Sequence, residues 1–400
     1  MSTFKQQSDL KFHNRLGVYE TIRNYGQVSR IQLAKITGLS ATSMTRMIAG
    51  LTELGLVREV TQKSSNPSGN SGNGGRPSVL LELCAEKAYS LNIDMEGSCL
   101  RASIMDLAHR FVVYRELIIA PRSDSFHDVA GRIRDVFQEM ISYARIPEKD
   151  VKCCGLTLGA HVSAANGAIV ASSQFKWYDV EAKIILENML HMPVIVENDC
   201  KAALYGERIL LAANGKNSDN IAYLEMGSDG VGSAVIIDGH LLRGSFNAAG
   251  EIGHITVLPD GEICNCGRRG CFETVMTENF VLKRTQLVHP EYKTLEKVAA
   301  AIRRNDINLI ALMDELSDYI AIAINDISCA YNPEIVILNG PVIQKNAVNL
   351  KSIETHMEKR LLRTIQPHLE VTVARMGAHA SLYGIGCLAT ENVVSELLRG

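Results

Sequence analysis

Twelve consecutive residues, Ser64–Gly75, are all Ser, Asn, Pro or Gly, and they divide the chain into two unequal parts. Because such a run has no apolar side chain to bury, it predicts a flexible loop. A helical pattern from about His13 to Leu56 precedes the loop, and strands alternating with helices follow it. A chain of 400 residues is long enough for two or three domains. We therefore expect a small N-terminal domain over residues 1–83, which includes the loop at 64–75, and a large domain over residues 84–400.

The segment Arg30–Ala49 predicts two short helices that pack together. Gly38 stands where the chain must turn sharply, since glycine adopts a positive φ without steric cost, and Ser40 is a favourable N-cap for the second helix. The apolar residues spaced to join the two helices are Leu33, Ala34, Leu39, Met44 and Ile48. The pattern is typical of a helix-turn-helix, and an ordinary helical hairpin within a core is the alternative. In a helix-turn-helix the second helix enters the major groove of DNA, and the residues presented there are Ala41, Thr42, Ser43, Thr45 and Arg46.

The sequence on either side of the loop predicts a β-wing. Leu51–Val60 ends a helix at Gly55 and starts a strand, and Pro77–Leu83 is the pattern of a returning strand. Together these elements complete a winged helix-turn-helix. Arg76, at the base of the wing, is either a side chain that enters a minor groove of DNA or a solvated loop residue.

Charge is distributed unevenly between the two parts. Residues 1–83 contain ten Lys or Arg and five Asp or Glu, whereas the rest of the chain contains 31 and 39. A basic head on an acidic body favours double-stranded DNA as a partner of the head. Since many solvated faces are basic, this charge supports the helix-turn-helix motif and does not stand alone.

The large domain contains two similar stretches. Ser90–Ile118 and Asn220–Leu242 each predict three strands joined by small-residue turns, with helical segments downstream. Such a duplication predicts two related α/β lobes with a cleft between them. The later elements that we expect are a helix around Leu312–Ala330, a strand Glu334–Leu338, a last strand near Val371–Arg375 and a closing helix from about Ala380.

Three cysteines and a histidine lie close together in the sequence. Cys264, Cys266 and Cys271 follow His254, and Gly267 and Gly270 permit the tight turns of a short loop. Three thiolates and one imidazole are a complete ligand set for a tetrahedral, structural Zn²⁺. Free buried cysteines are the alternative. The remaining cysteines lie in apolar surroundings and are expected in the core; they are Cys84, Cys99, Cys153, Cys154, Cys200, Cys329 and Cys387.

The hydropathy of the chain indicates a cytoplasmic protein with no membrane association. No apolar run reaches the roughly 18–20 residues that a membrane span needs. The first residues, MSTFKQQSDLKF, lack the apolar centre of a signal peptide.

The motifs Gly250–His254 and Cys264–Glu273 resemble those of the ROK family (repressors, open reading frames, kinases), and the resemblance covers nearly the whole chain. It implies an actin/hexokinase-like α/β body of two lobes. The N-terminal part is similar to the DNA-binding head that repressors of the family carry and its simple sugar kinases lack. The resemblance therefore implies a sugar-responsive transcriptional regulator, a repressor of carbohydrate metabolism or transport genes, that binds its operator as a homodimer or homotetramer. Its effector would be a sugar or a sugar phosphate.

The resemblance also implies where the sugar binds. Glu197-Asn198-Asp199 matches the family's cleft motif, in which the aspartate is the catalytic base of the kinases. The residues implied as sugar contacts are Asn198, Asp199, Glu251, His254 and Glu273. Asn198 as a helix cap is an alternative, and Glu207 is expected on the surface. Specificity is assigned to Gly159–Trp177, which contains the sole tryptophan.

The loops that bind nucleotide in the family's kinases are altered in this chain. Glu96 replaces a glycine of the first phosphate loop, and Asp229 enters the second. The third loop reads Asn339-Gly340 where the family has two glycines. Carboxylates within about 4–6 Å of a phosphate repel it. We therefore expect a sensor rather than an enzyme, without ATP as a cofactor; the alternative is an active ROK sugar kinase with an accessory DNA-binding head, in which Asp199 is the base.

Overall fold

The computed structural model describes residues 2–61, 79–120 and 123–399. The predicted loop at 64–75 and Arg76 lie outside the described residues. Among those described, the chain forms an N-terminal head and a body of two similar lobes, and none of their helices is long and apolar enough to cross a membrane.

The head consists of three helices and a small sheet. Ser29 and Gln32 form a capping box at the second helix, and Gly38 ends that helix with a φ of 69°, as the sequence predicts. Ser40 accepts a hydrogen bond from the amide of Ser43 and begins the third helix. The elements are α1 (Ser2–Tyr25), β1 (Val28–Ser29), α2 (Arg30–Thr37), α3 (Ala41–Glu53), β2 (Val57–Thr61) and β3 (Val79–Leu83), and the strand order is β1-β3-β2.

The helical start at His13 is wrong. Helix α1 begins at Ser2, because the preceding residues contain neither Gly nor Pro and nothing in them breaks a helix. The predicted end of α3 and the start of the next strand are confirmed, since Gly55 has a φ of 69° and β2 begins at Val57.

The first lobe is a five-stranded sheet covered by helices. Its strand order is β11-β7-β4-β5-β6, in which β4, β5 and β6 are antiparallel and β7 and β11 are parallel to β4. A small antiparallel sheet, β10-β9-β8, lies beside it. The elements are β4 (Tyr89–Glu96), β5 (Cys99–Asp106), β6 (Phe111–Ile118), α4 (Phe126–Ala144), β7 (Val151–Leu158), β8 (His161–Val162), β9 (Ile169–Ser172), β10 (Trp177–Val180), α5 (Ala182–Leu190), β11 (Val194–Asn198) and α6 (Asp199–Ala213).

The second lobe repeats this topology, so the predicted duplication is confirmed. Its order is β14-β13-β12-β15-β16, again with an antiparallel trio followed by two parallel strands. The elements are β12 (Ile221–Met226), β13 (Val231–Ile237), β14 (His240–Leu241), α7 (Glu273–Met276), α8 (Glu278–Val288), α9 (Leu295–Arg303), α10 (Ile307–Tyr331), β15 (Ile335–Asn339), α11 (Pro341–Gln344), α12 (Leu350–Arg360), β16 (Glu370–Val373) and α13 (Ala380–Arg399).

Two helices exchange lobes and cross each other. Helix α6 follows the last strand of the first lobe but packs on β12 and β13 of the second, whereas α13 follows the second lobe and packs on β4, β5 and β7 of the first. Where they cross, a Cβ on Gly206 would lie 2.8 Å from Cα of Gly384, and one on Gly384 would lie 1.7 Å from the carbonyl oxygen of Ala202. The two backbones are therefore in direct contact at the crossing.

The head shares an apolar core with the body. Val18, Ile22, Ile48 and Leu51 of the head belong to the same buried cluster as four residues of α13, which are Ala389, Val393, Val394 and Leu398. The head therefore packs directly on the helix that ends the chain.

Two burial predictions are wrong. Glu207 is buried, because α6 lies between the lobes, and its carboxylate accepts the amide of Met376 at 3.0 Å. Of the seven cysteines expected in the core, Cys329 is exposed near the end of α10, and Cys84 and Cys99 are half-buried. Apolar sequence neighbours do not reveal which face of a helix or strand a cysteine occupies.

The helix crossing gives a stability prediction. Gly384→Ala places a methyl group against the Ala202 carbonyl, so the helices must separate and the free energy of unfolding should fall by about 3 kcal/mol or more. Gly131→Ala on α4 is the matched control, because a Cβ there meets no atom within 4 Å and should stabilise the helix by about 0.8 kcal/mol. Urea denaturation followed by circular dichroism measures both. Equal midpoints for Gly384→Ala and wild type would contradict the contact.

Candidate functional site

The cleft motif lies where a strand of the first lobe becomes the crossing helix. Strand β11 ends at Asn198, and α6 begins at Asp199. The Asn198 side chain accepts the amide of Lys201 at 3.1 Å and donates to the carbonyl of Ala160 at 3.3 Å. Asn198 is therefore a helix cap, as the alternative interpretation held, and it also ties α6 to the neighbouring loop.

The carboxylate of Asp199 lies in a close-packed corner of the cleft. A Cβ on Gly159 would lie 3.3 Å from Oδ2 of Asp199 and 3.7 Å from Oε1 of Gln174. Burial raises the pKa of Asp199. Gln174 thus joins Asp199 at this corner and offers both a donor and an acceptor. It lies inside the predicted specificity segment, but an isolated glutamine in a sequence gives no signal.

Trp177 does not line the cleft. Its ring is buried in the first lobe, stacked on Phe175 with centroids 4.8 Å apart and edge-on to Phe126. Its Nε1 donates to the carbonyl of Asp124 at 3.2 Å. The tryptophan that ends the predicted specificity segment therefore fills the core under the loop.

A set of polar contacts joins the two lobes beside the motif. Arg243, which follows β14, lies 2.6 Å from the buried carboxylate of Glu197 on β11. Asn247 donates to the carbonyl of Val162 at 2.7 Å and accepts from the buried ammonium of Lys201. Burial lowers the pKa of Lys201. We call the Arg243–Glu197 pair the interlobe latch; no sequence pattern indicates it, because its two residues lie on different lobes.

Glu251, His254 and Glu273 all belong to the second lobe. Glu251 is exposed and precedes a short 3₁₀ turn, Ile252–His254, while Glu273 begins α7. The Oε2 of Glu273 accepts the backbone amide of Val231 at 3.3 Å, and its Oε1 lies 3.4 Å from Sγ of Cys264. Glu273 therefore links the cysteine cluster to the turn between β12 and β13.

The cysteine cluster closes around one point, and its four residues are His254, Cys264, Cys266 and Cys271. One ligand atom from each lies within 4.8 Å of all the others. Nδ1 of His254 is 3.6 Å from Sγ of Cys264, and Sγ of Cys266 is 3.6 Å from Sγ of Cys271. A tetrahedral ion with bonds of about 2.3 Å to sulfur separates its ligands by similar distances, so the donor set fits a metal.

The loop that carries these cysteines depends on glycine. Gly267 and Gly270 have φ of 87° and 67°, and a Cβ on Gly270 would lie 1.6 Å from the carbonyl oxygen of Leu258. The predicted tight turns are therefore confirmed. Hydrogen bonds from Arg268 lower the pKa of Cys266 to about 6, which favours the thiolate form that binds metals.

The first phosphate loop is occupied by an ion-pair network. Arg101 on β5 lies 2.9 Å from Oδ2 of the buried Asp94 and 2.8 Å from Oε2 of Glu96. Both carboxylates are thus engaged by a guanidinium of the protein itself. A phosphate at this turn would meet Glu96 rather than the free backbone amides of a glycine turn.

The second predicted phosphate loop is hydrogen-bonded to the start of α8. Ser228 donates to the carboxylate of Glu278 at 3.0 Å, and Asn279 donates to that of Asp229 at 2.6 Å. The amide of Val231, which follows in the same turn, already donates to Glu273. Two donors of this loop, the Ser228 hydroxyl and the Val231 amide, are therefore used within the protein.

The third loop lies over a buried polar cluster. Asn339 donates through Nδ2 to Oε2 of Glu225 and to the Tyr223 hydroxyl, each at 2.8 Å. Gly340 has a φ of 105°, and a Cβ there would lie 2.0 Å from the carbonyl oxygen of Met226. Burial raises the pKa of Glu225, and the charges of Glu96 and Asp199 raise it further.

Comparison with known proteins agrees with this geometry, and residues 91–392 match the ROK family. The chain belongs to the ROK family. It is 27% identical to the xylose repressor of Bacillus spizizenii over 385 residues, 96% of each chain. It is 28% identical to a glucokinase of Halalkalibacterium halodurans over 318 residues, 76% of this chain and 95% of that one. A crystal structure of a ROK-family transcriptional regulator, a homologue of the Escherichia coli Mlc protein, superposes with a TM-score of 0.79 at 24% identity and covers 98% of both chains.

Membership of the ROK family identifies the body as an actin/hexokinase-like pair of lobes. The likeness to the ROK regulator extends over the head as well as the body. The likeness to the glucokinase is confined to about three quarters of the chain.

The head exposes one side of α3. Ala41, Thr42, Thr45 and Arg46 are exposed and Ser43 is half-buried, while Met44, Met47 and Ile48 are buried in the head. The Thr45 hydroxyl donates to the carbonyl of Ala41 at 2.9 Å, so its oxygen remains available only as an acceptor. The structure thus presents on one face the residues that the sequence predicts for DNA contact.

The buried carboxyl of Glu225 gives a prediction of pH dependence. Burial raises its pKa from 4.5 to about 8. Between these values the folded protein keeps a proton that the unfolded chain has released, so the free energy of unfolding falls as pH rises, by up to about 1.4 kcal/mol per pH unit. This stabilisation is complete below pH 4.5 and is lost as pH rises through 8.

Glu225→Gln should remove this component, because a neutral amide replaces the protonated carboxyl. Urea denaturation between pH 4.5 and 8 compares the variant with wild type and with Glu354→Gln, an exposed control. Parallel profiles for wild type and Glu225→Gln would show that Glu225 is ionised throughout.

Proposed function

We propose that this ROK-family chain is a sugar-responsive DNA-binding transcriptional repressor of carbohydrate metabolism or transport genes. The observation that carries the proposal is the exposed, hydroxyl- and arginine-bearing face of α3, held on a head that packs on a two-lobed body. The xylose repressor relative, similar over 96% of both chains, supports it. Residues 1–83 would form the DNA-binding domain and residues 84–400 the sensor.

The head is proposed to be a winged helix-turn-helix. Helices α2 and α3 supply the motif, and β2 and β3 are the strands of the wing, paired from Val57 with Leu83 to Thr61 with Val79. In this arrangement α3 lies in the major groove, where Arg46 contacts phosphate or guanine. Arg76 is proposed as a contact to the minor groove. Helix-turn-helix proteins usually bind as symmetric pairs, so we expect a homodimer or homotetramer on a palindromic operator.

The body is proposed to bind the effector without using ATP. The sugar contacts would be Asn198, Asp199, Glu251, His254 and Glu273, to which the structure adds Gln174 as a candidate. Pairings at two of the altered loops support this: Arg101 pairs with Asp94 and Glu96, and the Val231 amide donates to Glu273.

The charge of the cleft bears on the form of the effector. A sugar phosphorylated on the hydroxyl that faces Asp199 would bring its phosphate towards the carboxylate of Asp199. Of the two candidate effector classes, sugar and sugar phosphate, this charge favours the sugar.

Zinc is proposed as a structural ion held by Nδ1 of His254 and by Cys264, Cys266 and Cys271. With four protein ligands it has no open position for catalysis. Its role would be to hold the loop, and with it Glu251 and Glu273, at the edge of the cleft. The second ring nitrogen of His254 would remain available for the sugar.

A ROK sugar kinase with an accessory head is the second candidate. It is favoured by the presence of Asp94 and Asp199 and by the 28% identity with a glucokinase. Measurement of ATP consumption with D-glucose, D-xylose and N-acetyl-D-glucosamine decides between the candidates. We expect no turnover, whereas sugar-dependent turnover that Asp199→Asn abolishes would establish the kinase.

Selection of bound fragments from a genomic DNA library, followed by release with the same sugars and their 6- or 5-phosphates, tests the proposed function. We expect one palindromic motif that is released by an unphosphorylated sugar. Arg46→Ala should weaken binding to it by about 1–3 kcal/mol because it removes one contact of the recognition helix.

Arg134→Ala, which removes an exposed arginine from α4 of the body, is the control and should bind like wild type. Loss of binding in Arg134→Ala, or full binding by Arg46→Ala, would contradict the assignment of α3. Failure of every fragment to bind the wild-type chain would overturn the proposed function.

The zinc proposal is tested with Cys266→Ser. Removing one ligand should abolish stoichiometric zinc binding, which is measured by inductively coupled plasma mass spectrometry. It should also lower the free energy of unfolding by about 2.7 kcal/mol or more, because a ligand present at a hundred times its Kd stabilises the folded state by that amount. Cys329→Ser, which removes an exposed cysteine outside the cluster, is the matched control. Unchanged zinc content in Cys266→Ser would contradict the four-ligand site.

A further inference from the structure

We propose that Glu391 is a positioning residue for the DNA-binding head. Its carboxylate connects the head to both crossing helices and thereby couples the head to the cleft. We call Arg23, His109, Tyr205 and Glu391 the hinge junction. The inference rests on the proposed function, since it explains how one domain of a sugar-responsive DNA-binding protein affects the other.

The hinge junction joins three helices at one carboxylate. Glu391 lies on α13, and it accepts hydrogen bonds from the hydroxyl of Tyr205 on α6 and from the guanidinium of Arg23 on α1, the latter at 3.5 Å. Nη1 of Arg23 also lies 3.2 Å from Nε2 of His109, in the turn between β5 and β6. One group therefore holds the head and both crossing helices together.

These charges have little access to water. The Arg23 side chain is 7% exposed and that of Glu391 is 21% exposed. Burial lowers the pKa of His109, and the Arg23 charge lowers it further, so His109 is neutral and does not balance Glu391. Separation of Arg23 from Glu391 would leave a buried charge without its partner, which is strongly destabilising. Arg23 therefore moves with Glu391 when α13 moves.

The crossing helix connects the junction to the sugar side of the cleft. Helix α6 begins at Asp199, two residues after the latch residue Glu197, and Tyr205 lies six residues further, about 9 Å along the helix. Gly206, next to Tyr205, touches α13 at Gly384. Rotation of one lobe relative to the other therefore pivots at this glycine contact, beside the bond between Tyr205 and Glu391.

On the other side, α1 connects the junction to the DNA-reading helix. The Tyr19 hydroxyl donates to the carbonyl of Leu107 at 2.7 Å, which fixes α1 on the first lobe. A Cβ on Gly50 of α3 would lie 2.8 Å from the guanidinium of Arg15 on α1. Helices α1 and α3 share one buried core, so α3 moves with α1.

A double-mutant cycle on DNA affinity tests the coupling without knowledge of the sugar. Arg243→Ala opens the interlobe latch, and Glu391→Gln or Tyr205→Phe weakens the junction. The probe is the duplex of highest affinity recovered in the selection above, and Kd is measured by fluorescence anisotropy with the full-length protein. We expect Arg243→Ala to change operator affinity by about tenfold in the wild-type background and by less than about twofold in either junction variant.

The matched control is Glu315→Gln. Glu315 also accepts from an arginine and a tyrosine, Arg284 at 3.0 Å and Tyr319 at 3.4 Å, but entirely within the second lobe. In that background the full effect of Arg243→Ala should remain. Tyr205→Phe removes one hydroxyl only, so it is the milder of the two junction variants. Thermal unfolding of each variant verifies that it is folded. If coupling is lost only in variants whose melting temperature is lowered, that result counts against the proposal.

The inference would be overturned if the effects of Arg243→Ala and of both junction variants on DNA affinity were additive. It would also be overturned if Arg243→Ala bound DNA with wild-type affinity. Either result would leave the proposed function intact. If the wild-type chain bound no DNA, the proposed function would fail and this inference with it.

Discussion

The contact of α6 with α13 through Gly206 and Gly384 is the constraint on which the rest of the structure depends. Each helix begins after the last parallel strand of one lobe and packs on the other, so the two lobes are held by a crossing rather than by a broad surface. Only glycines permit the backbone separation found there, because a methyl group at Gly384 would overlap a carbonyl oxygen. This crossing determines the position of the cleft, of the helix that carries Asp199, and of the surface of α13 on which the head packs.

The cleft has a polar corner beside turns whose charged side chains are paired within the protein. Asp199 and Gln174 face one corner, and the latch between Arg243 and Glu197 spans the lobes beside them. At two neighbouring turns, Arg101 pairs with Glu96 and the amide of Val231 donates to Glu273.

Local patterns predicted much of the fold and part of the site. The glycine turn at Gly38, the cap at Ser40, the repeated strand trios and the cysteine loop are each set by residues close in sequence, and the structure confirms them. One expectation that depended on distant neighbours was wrong, because Glu207 is buried between the lobes. The start of α1 was wrong for a local reason, since nothing before His13 breaks the helix. Gln174, Lys201 and Glu391 gave no signal, since their partners lie far away in the sequence.

By itself, the sequence determined the kinds of chemistry available: a helix pair with an exposed arginine face, a four-ligand metal set, and carboxylates in place of phosphate-loop glycines. These are local properties, because turn geometry, helix capping and the spacing of ligands within one loop involve few residues. Only the tertiary structure decided which carboxylates are paired, which glycines are pressed against backbone, and that the head packs on the last helix of the body. Those outcomes depend on burial and on contacts between elements up to 368 residues apart. A charge that is removed from water is stable only when it has a partner, and only the fold brings that partner to it.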